Sequence, residues 1–285
     1  YCLGGPPVKF LQIEGSGWIA MPVVSADKKP DGLAIVTLAK EPVNTMGFDL
    51  WQDLQTVFSD CEADPAVRAV VFQSGLKKPV FTAGLDINEL YAPNTSKERF
   101  FEFWGLLTKV LVQIYRSPLL TVAAINGACP AGGCALSLCC DFRIITADGT
   151  MGLNEVPLGL MPPPFWARLF TSYAGQRQGE KLLEMGTLVS ASELLKLDMV
   201  DAVVAKADEL IPTALDTVVK PCLKSLDLGR AETKKVLRGP FAEEWARDAL
   251  VEAEHLWWIQ SNPVSVETLG KVLARLSGGK KKAKL

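Results

Sequence analysis

The sequence lacks the residues from which most protein metal sites are built. Its only histidine is His255, and its seven cysteines contain no C-x-x-C pair. Zinc and iron sites take their ligands from clustered histidine and cysteine side chains, so we expect no metal site. Four of the cysteines lie in apolar sequence at positions 129, 134, 139 and 140, where they are interpreted as small core residues.

Other function classes are excluded by missing patterns. The chain contains no G-x-S-x-G elbow, no Walker loop and no dinucleotide fingerprint. Its 30 basic and 32 acidic residues give a net charge of −2 without a basic stripe, so we expect no nucleic-acid partner. No run of 18 apolar residues occurs, and we therefore expect no stable membrane insertion.

Apolar residues make up 48% of the chain, enough for a large core, and their periodicity predicts an α/β fold with a helical end. In the first half the predicted elements are a hairpin of 18–26 and 33–39, helices over 48–58, 96–115 and 132–140, and strands over 67–72, 119–125, 142–146 and 150–153. From residue 163 onward strand signals fade, and helices are predicted over 165–174, 177–186, 191–198, 207–220, 230–238, 241–259 and 264–276.

We divide the chain into four regions. These are an N-terminal arm at 1–17, a strand-and-helix core at 18–205, a helical region at 206–279 and a basic tail at 280–285. No linker rich in Gly, Pro or Ser separates the core from the helices, so we do not expect independent domains. The final Ala283-Lys284-Leu285 is a variant of the peroxisomal S-K-L signal.

A glycine-rich turn at residues 126–134 is the first candidate for chemistry. It follows an apolar strand and opens a helix, and Gly132 and Gly133 let a ligand approach the backbone closely. The first N–H groups of a helix have no internal partner, so they can bind a developing oxyanion. The alternative is a tight turn whose glycines serve packing. A loop at 81–86 also follows an apolar strand, and an ordinary turn is its simpler interpretation.

Glu155 is the second candidate, because it is one carboxylate within an apolar run. Burial there would raise its pKa and make it a better base near neutral pH. The alternative is a glutamate that caps a loop or pairs with Arg168. Its apolar neighbours are Met151, Leu153, Val156, Leu158 and Leu160.

Four segments resemble a known family. They are F-T-A-G-L-D-I at 81–87, N-G-A-C-P-A-G-G-C at 126–134, C-D-F-R-I at 140–144 and G-L-N-E-V-P-L-G-L at 152–160. They are similar to the crotonase (enoyl-CoA hydratase/isomerase) superfamily and, within it, to the mitochondrial-type Δ3,Δ2-enoyl-CoA isomerases. The similarity extends over about residues 30–205.

The resemblance implies a superhelix of ββα turns followed by C-terminal helices that build a homotrimer, or a hexamer of two trimers. It implies a fatty acyl thioester of coenzyme A as substrate, with no cofactor apart from the coenzyme A of that substrate. The implied location is the mitochondrial matrix, whereas the Ala-Lys-Leu terminus indicates a peroxisome-like organelle.

The resemblance also assigns the site by position. The N–H groups of Leu85 and Gly132 would form the oxyanion hole, and the Ala83 carbonyl would meet the adenine amino group. The implied acyl-CoA contacts are Ala83, Gly84, Leu85, Asp86, Ile87 and Gly132.

Ala135 and Glu155 determine which reaction the resemblance implies. Hydratases of this superfamily carry one glutamate in each of the two segments, and here the first of those positions is Ala135. A single glutamate suffices to move a proton, so the implied reaction is isomerisation: Glu155 takes a C2 proton from a 3-enoyl-CoA and returns it to C4.

Other reactions stay open at this point. The fold also supports hydration and dienoyl-CoA isomerisation, and the latter would need further acidic residues, of which Asp86 and Asp148 are the nearest in sequence. A crotonase-fold protein that binds a partner without chemistry is the remaining alternative, against which the retained Glu155 and both glycine motifs argue.

Overall fold

The computed structural model describes residues 10–13, 17–20 and 22–282, with side-chain surroundings described for 22–276. Residues 1–9 of the predicted arm and the Ala283-Lys284-Leu285 signal lie outside the described residues. No helix within the described ranges is long and apolar enough to cross a membrane.

The strands and helices alternate through the first two thirds of the chain, and helices follow. The strands are β1 (Phe10–Ile13), β2 (Gly17–Ala20), β3 (Val24–Lys28), β4 (Leu33–Leu38), β5 (Ala69–Ser74), β6 (Leu120–Ile125), β7 (Ala128–Pro130), β8 (Phe142–Thr146), β9 (Thr150–Gly152), β10 (Val189–Ser190) and β11 (Ala202–Val204). The helices are α1 (Phe48–Ala63), α2 (Ile87–Leu90), α3 (Lys97–Arg116), α4 (Gly132–Cys139), α5 (Pro164–Ala174), α6 (Gln176–Met185), α7 (Ala191–Lys196), α8 (Leu210–Ala214), α9 (Lys220–Leu223), α10 (Asp227–Gln260) and α11 (Pro263–Lys282).

A six-stranded sheet with the order β11-β8-β6-β5-β4-β3 forms the centre of the molecule, and all its pairs except β3–β4 are parallel. The inner strands β5 and β6 are largely apolar and buried, as expected where both faces of a sheet are covered. Val70 and Phe72 of β5 join a large core that includes α1, α3 and α10. Ala69 and Val71 point the opposite way, into a smaller core beneath α8.

A second sheet, with the order β10-β9-β7, gives the fold its repeat. The chain passes through β6 in the large sheet, β7 in the small sheet and then α4, and it repeats this order through β8, β9 and α5. This is the ββα succession that was predicted. The predicted helix over 96–115 is confirmed as α3, and the Ser96 side chain caps it by accepting a hydrogen bond from Arg99 N at 3.1 Å.

The N-terminal predictions were wrong in part. Residues 10–13, assigned to an arm or loop, form β1 and pair with β2. The predicted strand 18–26 is therefore two strands, and only β3 forms the hairpin with β4. Pro22 lies between them and has no N–H to donate to a ladder, which explains the interruption.

The C-terminal helices are longer than predicted. Two helices were predicted over 230–238 and 241–259, but α10 is one helix that continues through Gly239 and Pro240. The proline has no N–H, so it removes the one helical hydrogen bond that position 240 would donate to the carbonyl of Val236. The helix α11 also continues beyond 276 into the predicted basic tail. The short strands β7, β10 and β11 and the short helix α2 were not predicted.

Candidate active site

Three parallel segments bring the predicted site residues to one edge of the small sheet. Pro130 of β7 lies opposite Gly152 of β9, and Val80 forms a parallel bridge with Ala128. The carboxyl ends of these segments therefore point in the same direction. Leu85, Gly132 and Glu155 follow the three ends within a few residues, and such strand ends are where α/β proteins commonly bind ligands.

The two predicted oxyanion donors lie in contacting loops. A Cβ on Gly132 would lie 2.7 Å from Leu85 Cδ2, so the Leu85 side chain occupies the space that any larger residue at 132 would need. Met46 donates its N–H to Gly84 O at 2.9 Å and accepts from Asp86 N at 3.2 Å. These two bonds form a parallel bridge between Met46 and Leu85, in which the Leu85 N–H points away from Met46.

Neither the Leu85 N–H nor the Gly132 N–H has an acceptor among the described residues. Gly132 is the first residue of α4, so its N–H also carries part of the positive end of the helix dipole. Two neighbouring free donors of this kind can stabilise an oxygen atom that gains negative charge.

Glu155 follows β9 and is buried, with 7% of its surface exposed. Its Oε2 atom has no hydrogen-bond partner among the described residues. Burial raises the pKa of the carboxyl group to about 8, and its own backbone N–H offsets only a smaller part of that shift. A buried carboxyl group with one free oxygen and such a pKa can act as a base and then as an acid near neutral pH.

Arg168, which was considered as an ion-pair partner of Glu155, pairs with another residue. Arg168 forms a two-bond ion pair with Glu244, with distances of 2.8 and 2.9 Å. The interpretation of Glu155 as a partner of Arg168 is therefore wrong. A second carboxylate is not supplied by Asp148, which is exposed in the turn before β9, at the end of that strand opposite to Glu155.

Residues 83–87 are arranged as an exposed rim followed by a capped turn. Ala83 is exposed, and Gly84 is buried with a positive φ of 84°. Asp86 caps the short helix α2, which begins at Ile87, by accepting a hydrogen bond from Asn88 N at 3.0 Å. The Asp86 carboxylate therefore has a structural partner.

Asn44 supports this rim and was not identified from the sequence. It is fully buried, and its side-chain amide donates to Leu38 O at 3.2 Å, to Ser74 Oγ at 3.0 Å and to Phe81 O at 2.9 Å. The bond to Phe81 ties the start of the 81–87 loop to the large sheet. One asparagine in a proline-containing loop has no spacing that would reveal this role.

Ala131, immediately before Gly132, has an unusual backbone. Its φ of 48° and ψ of −114° lie in a region that residues with a Cβ rarely occupy. Such strain costs of the order of 1–3 kcal/mol and persists only where neighbouring structure enforces it. Here Ala131 N donates to Gly152 O at 2.8 Å, and Ala131 O accepts from Ala135 N at 3.0 Å.

The cysteines near the site are buried and free. Cys134, in the first turn of α4, is fully buried. Burial raises the pKa of its thiol well above the usual range, and the nearby charge of Glu155 adds to that shift. A thiol in this state is a poor nucleophile, which agrees with the interpretation of these cysteines as core residues.

Fold and site together define an α/β protein of ββα turns whose strand ends carry one buried carboxyl group and two free backbone donors. The family model for enoyl-CoA hydratase/isomerase matches residues 28–248. The chain belongs to this family, and the predicted crotonase superfamily is confirmed.

Solved and curated relatives agree with this assignment. Mitochondrial enoyl-CoA delta isomerase 1 of Mus musculus is 33% identical over 216 residues, which cover 75% of this chain and 73% of that protein. The short-chain-enoyl-CoA hydratase of Clostridium acetobutylicum is 28% identical over 194 residues, which cover 68% of this chain and 73% of that protein. The crystal structure of human mitochondrial Δ3,Δ2-enoyl-CoA isomerase has a TM-score of 0.85 at 29% identity and covers 90% of this chain and 99% of that one.

Proposed function

We propose that this protein is a Δ3,Δ2-enoyl-CoA isomerase. Family membership supports an enzyme that acts on an enoyl-CoA thioester, and relatives named isomerase and hydratase both occur. The observation that favours isomerisation is the buried carboxyl group of Glu155, whose Oε2 atom has no hydrogen-bond partner among the described residues. At the position where the resemblance implies a second glutamate in hydratases, Ala135 is fully buried and provides no base that could activate water.

The proposed reaction begins with proton removal. Glu155 takes a proton from C2 of a 3-enoyl-CoA, and the electron pair moves into the C1–C2 bond while the thioester oxygen gains negative charge. Leu85 N–H and Gly132 N–H hold that oxygen. One such donor is worth about 3–4 kcal/mol of the barrier in enzymes where it has been removed.

The proposed reaction ends with return of the same proton. The dienolate takes the proton from Glu155 at C4, and the Glu155 carboxylate is regenerated. The double bond has then moved from C3–C4 to C2–C3. No water, electron or second base enters the balance. We therefore propose that catalysis needs no cofactor, the coenzyme A being part of the substrate.

Substrate choice tests this function directly. We expect rapid conversion of 3-hexenoyl-CoA to trans-2-hexenoyl-CoA, which is measured by the absorbance of the conjugated thioester. We expect little formation of 3-hydroxyhexanoyl-CoA when trans-2-hexenoyl-CoA is the substrate. A hydration rate equal to or above the isomerisation rate would identify a hydratase instead. Dienoyl-CoA isomerisation is disfavoured because Asp148 is remote and Asp86 caps α2.

The rate should depend on pH through Glu155. The base must be ionised in the free enzyme, so we expect kcat/KM to rise with pH about tenfold per unit below pH 8 and to level off above it, in line with the raised pKa. Initial rates with 3-hexenoyl-CoA between pH 6 and 9 give this profile. A profile that is flat from pH 6 upwards would contradict Glu155 as the base.

We propose that the acyl-CoA is bound by Ala83, Gly84, Asp86 and Ile87 together with the N–H groups of Leu85 and Gly132.

We also propose that the protein is a homotrimer. Support for self-association comes from α10, where the apolar residues Leu228, Val236, Leu237 and Val251 are each more than 70% exposed. Sedimentation equilibrium should give the mass of three chains, or of six if trimers pair. A monomer would refute the proposal.

We also propose the mitochondrial matrix as its location, because the isomerase relatives from mouse, rat and human are named mitochondrial. Imaging of the tagged protein beside a matrix marker tests this location. Exclusion from mitochondria would refute it.

A further inference from the structure

The two donor loops are interlocked by a pair of reciprocal contacts. A Cβ on Gly84 would lie 3.2 Å from Ala131 Cβ, so the Ala131 methyl group already packs over the Gly84 backbone. In the other direction, the Leu85 side chain packs over Gly132, 2.7 Å from where its Cβ would be. In each loop a glycine therefore packs against a side chain of the other loop. Both contacts lie immediately beside the two donor N–H groups.

The residue that makes one of these contacts is the strained one. A glycine at 131 would adopt the same positive φ without steric cost, yet the chain has alanine there. The hydrogen bonds of Ala131 to Gly152 and Ala135 fix its peptide groups on both sides. Its ψ of −114° sets the plane of the following peptide and hence the direction of Gly132 N–H.

We propose that Ala131 is a positioning residue, whose methyl group acts as a spacer that fixes the separation and direction of the Leu85 and Gly132 donors. The inference rests on the oxyanion hole of the proposed function. It explains why a conformation suited to glycine is occupied by a residue with a Cβ: the methyl contact holds the two loops apart at one distance, and its loss leaves the donors less well aligned.

The substitution Ala131→Gly separates alignment from stability. Removing the methyl group relieves the strain at positive φ, so we expect a melting temperature equal to or above that of the wild type. We expect kcat for 3-hexenoyl-CoA to fall about tenfold with KM nearly unchanged, less than the 10²- to 10³-fold lost when a donor is removed altogether. Ala131→Ser keeps the Cβ and should retain kcat within a few-fold.

Asp198→Gly is the matched control. Asp198 also has a positive φ, 57°, but it is exposed at the end of α7, where its N–H donates to Leu195 O at 3.2 Å. Glycine relieves strain at this position without touching the donor loops. We expect the melting temperature to change in the same direction as for Ala131→Gly, with kcat unchanged.

A second readout is independent of turnover. Infrared difference spectra of bound hexanoyl-CoA, labelled with ¹³C at C1, report polarisation of the thioester carbonyl by the two donors. We expect a clear shift to lower frequency in the wild type and in Asp198→Gly, and a smaller shift in Ala131→Gly.

The outcomes distinguish this inference from the proposed function. A wild type that polarises the carbonyl but does not isomerise 3-enoyl-CoA would refute the function and leave the role of Ala131 in place. An Ala131→Gly variant with wild-type kcat and wild-type band position would refute the role of Ala131. Absence of any carbonyl shift in the wild type would refute the oxyanion hole and the inference together.

Discussion

Replacement of Glu155 by glutamine is expected to reduce kcat for 3-enoyl-CoA by about 10⁴-fold or more while binding of the thioester survives. A positioned general base typically contributes 10²- to 10⁴-fold, and here one group serves both the removal and the return of the proton. Glutamine has nearly the same shape but accepts no proton. Isothermal titration with hexanoyl-CoA and the absorbance assay measure the two effects separately.

Glu252→Gln is the control for this substitution. Glu252 is the other buried glutamate of the described residues, and burial raises its pKa as well. Its carboxylate, however, accepts hydrogen bonds from Trp104 Nε1 at 3.0 Å and from Phe165 N at 2.9 Å, which ties α10 to α3 and α5. We expect this variant to be less stable, because an amide NH₂ would face a donor, but to keep kcat within a few-fold.

The pair of substitutions separates burial from chemistry. If both variants lose activity to the same extent, the loss reflects disturbance of the fold and gives no support to a catalytic Glu155. If Glu155→Gln turns over within a few-fold of the wild type, the single-base mechanism is refuted. Retained hydration in that variant would show that another group activates water.

The sequence was a good guide where the site depends on local features. Gly132 begins a helix and Glu155 lies in an apolar run, and both properties can be recognised within a few residues. The apolar neighbours of Glu155 predicted a raised pKa, and burial of its carboxyl group in the folded protein raises the pKa. The repeated strand-strand-helix order then accounts for their common location, since parallel strands end on the same edge.

Features that depend on distant contacts could not be predicted. The partner of Arg168 is Glu244, 76 positions further along the chain, and no local pattern links the two. The role of Asn44 depends on three acceptors from separate segments. The two helices predicted over 230–238 and 241–259 are one helix, because packing of α10 against α3 outweighs the hydrogen bond that Pro240 removes.

The backbone of Ala131 is a different kind of omission. An alanine gives no indication of a positive φ in the sequence. The neighbouring glycines, Gly132 and Gly133, are the residues of this turn at which a positive φ would be expected. The strain is imposed by β9 and α4, which hold the two peptide groups of Ala131. Local preference and global fold disagree at this residue, and such disagreements concentrate at functional sites.

Glu155→Gln should also stabilise the protein, increasingly so at higher pH. The pKa of Glu155 is about 8 in the folded state against 4.5 for the ordinary side chain, so the folded state binds the proton more tightly than the unfolded state does. Between these two values the folded wild type retains a proton that the unfolded chain has released. Its free energy of unfolding therefore falls as pH rises through this window, and the loss is complete above pH 8.

Glutamine does not titrate in this pH range. The difference in the free energy of unfolding between the variant and the wild type therefore measures the contribution of Glu155 ionisation. We expect the difference to grow by roughly 3–4 kcal/mol between pH 5 and pH 8, at about 1.4 kcal/mol per pH unit, and then to level off. Urea unfolding of both proteins at pH 5, 6, 7, 8 and 9 gives the comparison. The substitution that abolishes turnover is thus expected to give the more stable protein.

This result would connect the two properties of Glu155. The carboxyl group is a useful base because it is buried with one oxygen atom unpartnered, and the same burial destabilises the folded state whenever the group is ionised. A difference that stays constant from pH 5 to 9 would mean that Glu155 titrates normally, and the expected rise of kcat/KM towards pH 8 would then have to be absent as well. Agreement between the pH at which stability levels off and the pH at which kcat/KM levels off would identify one titrating group as the origin of both.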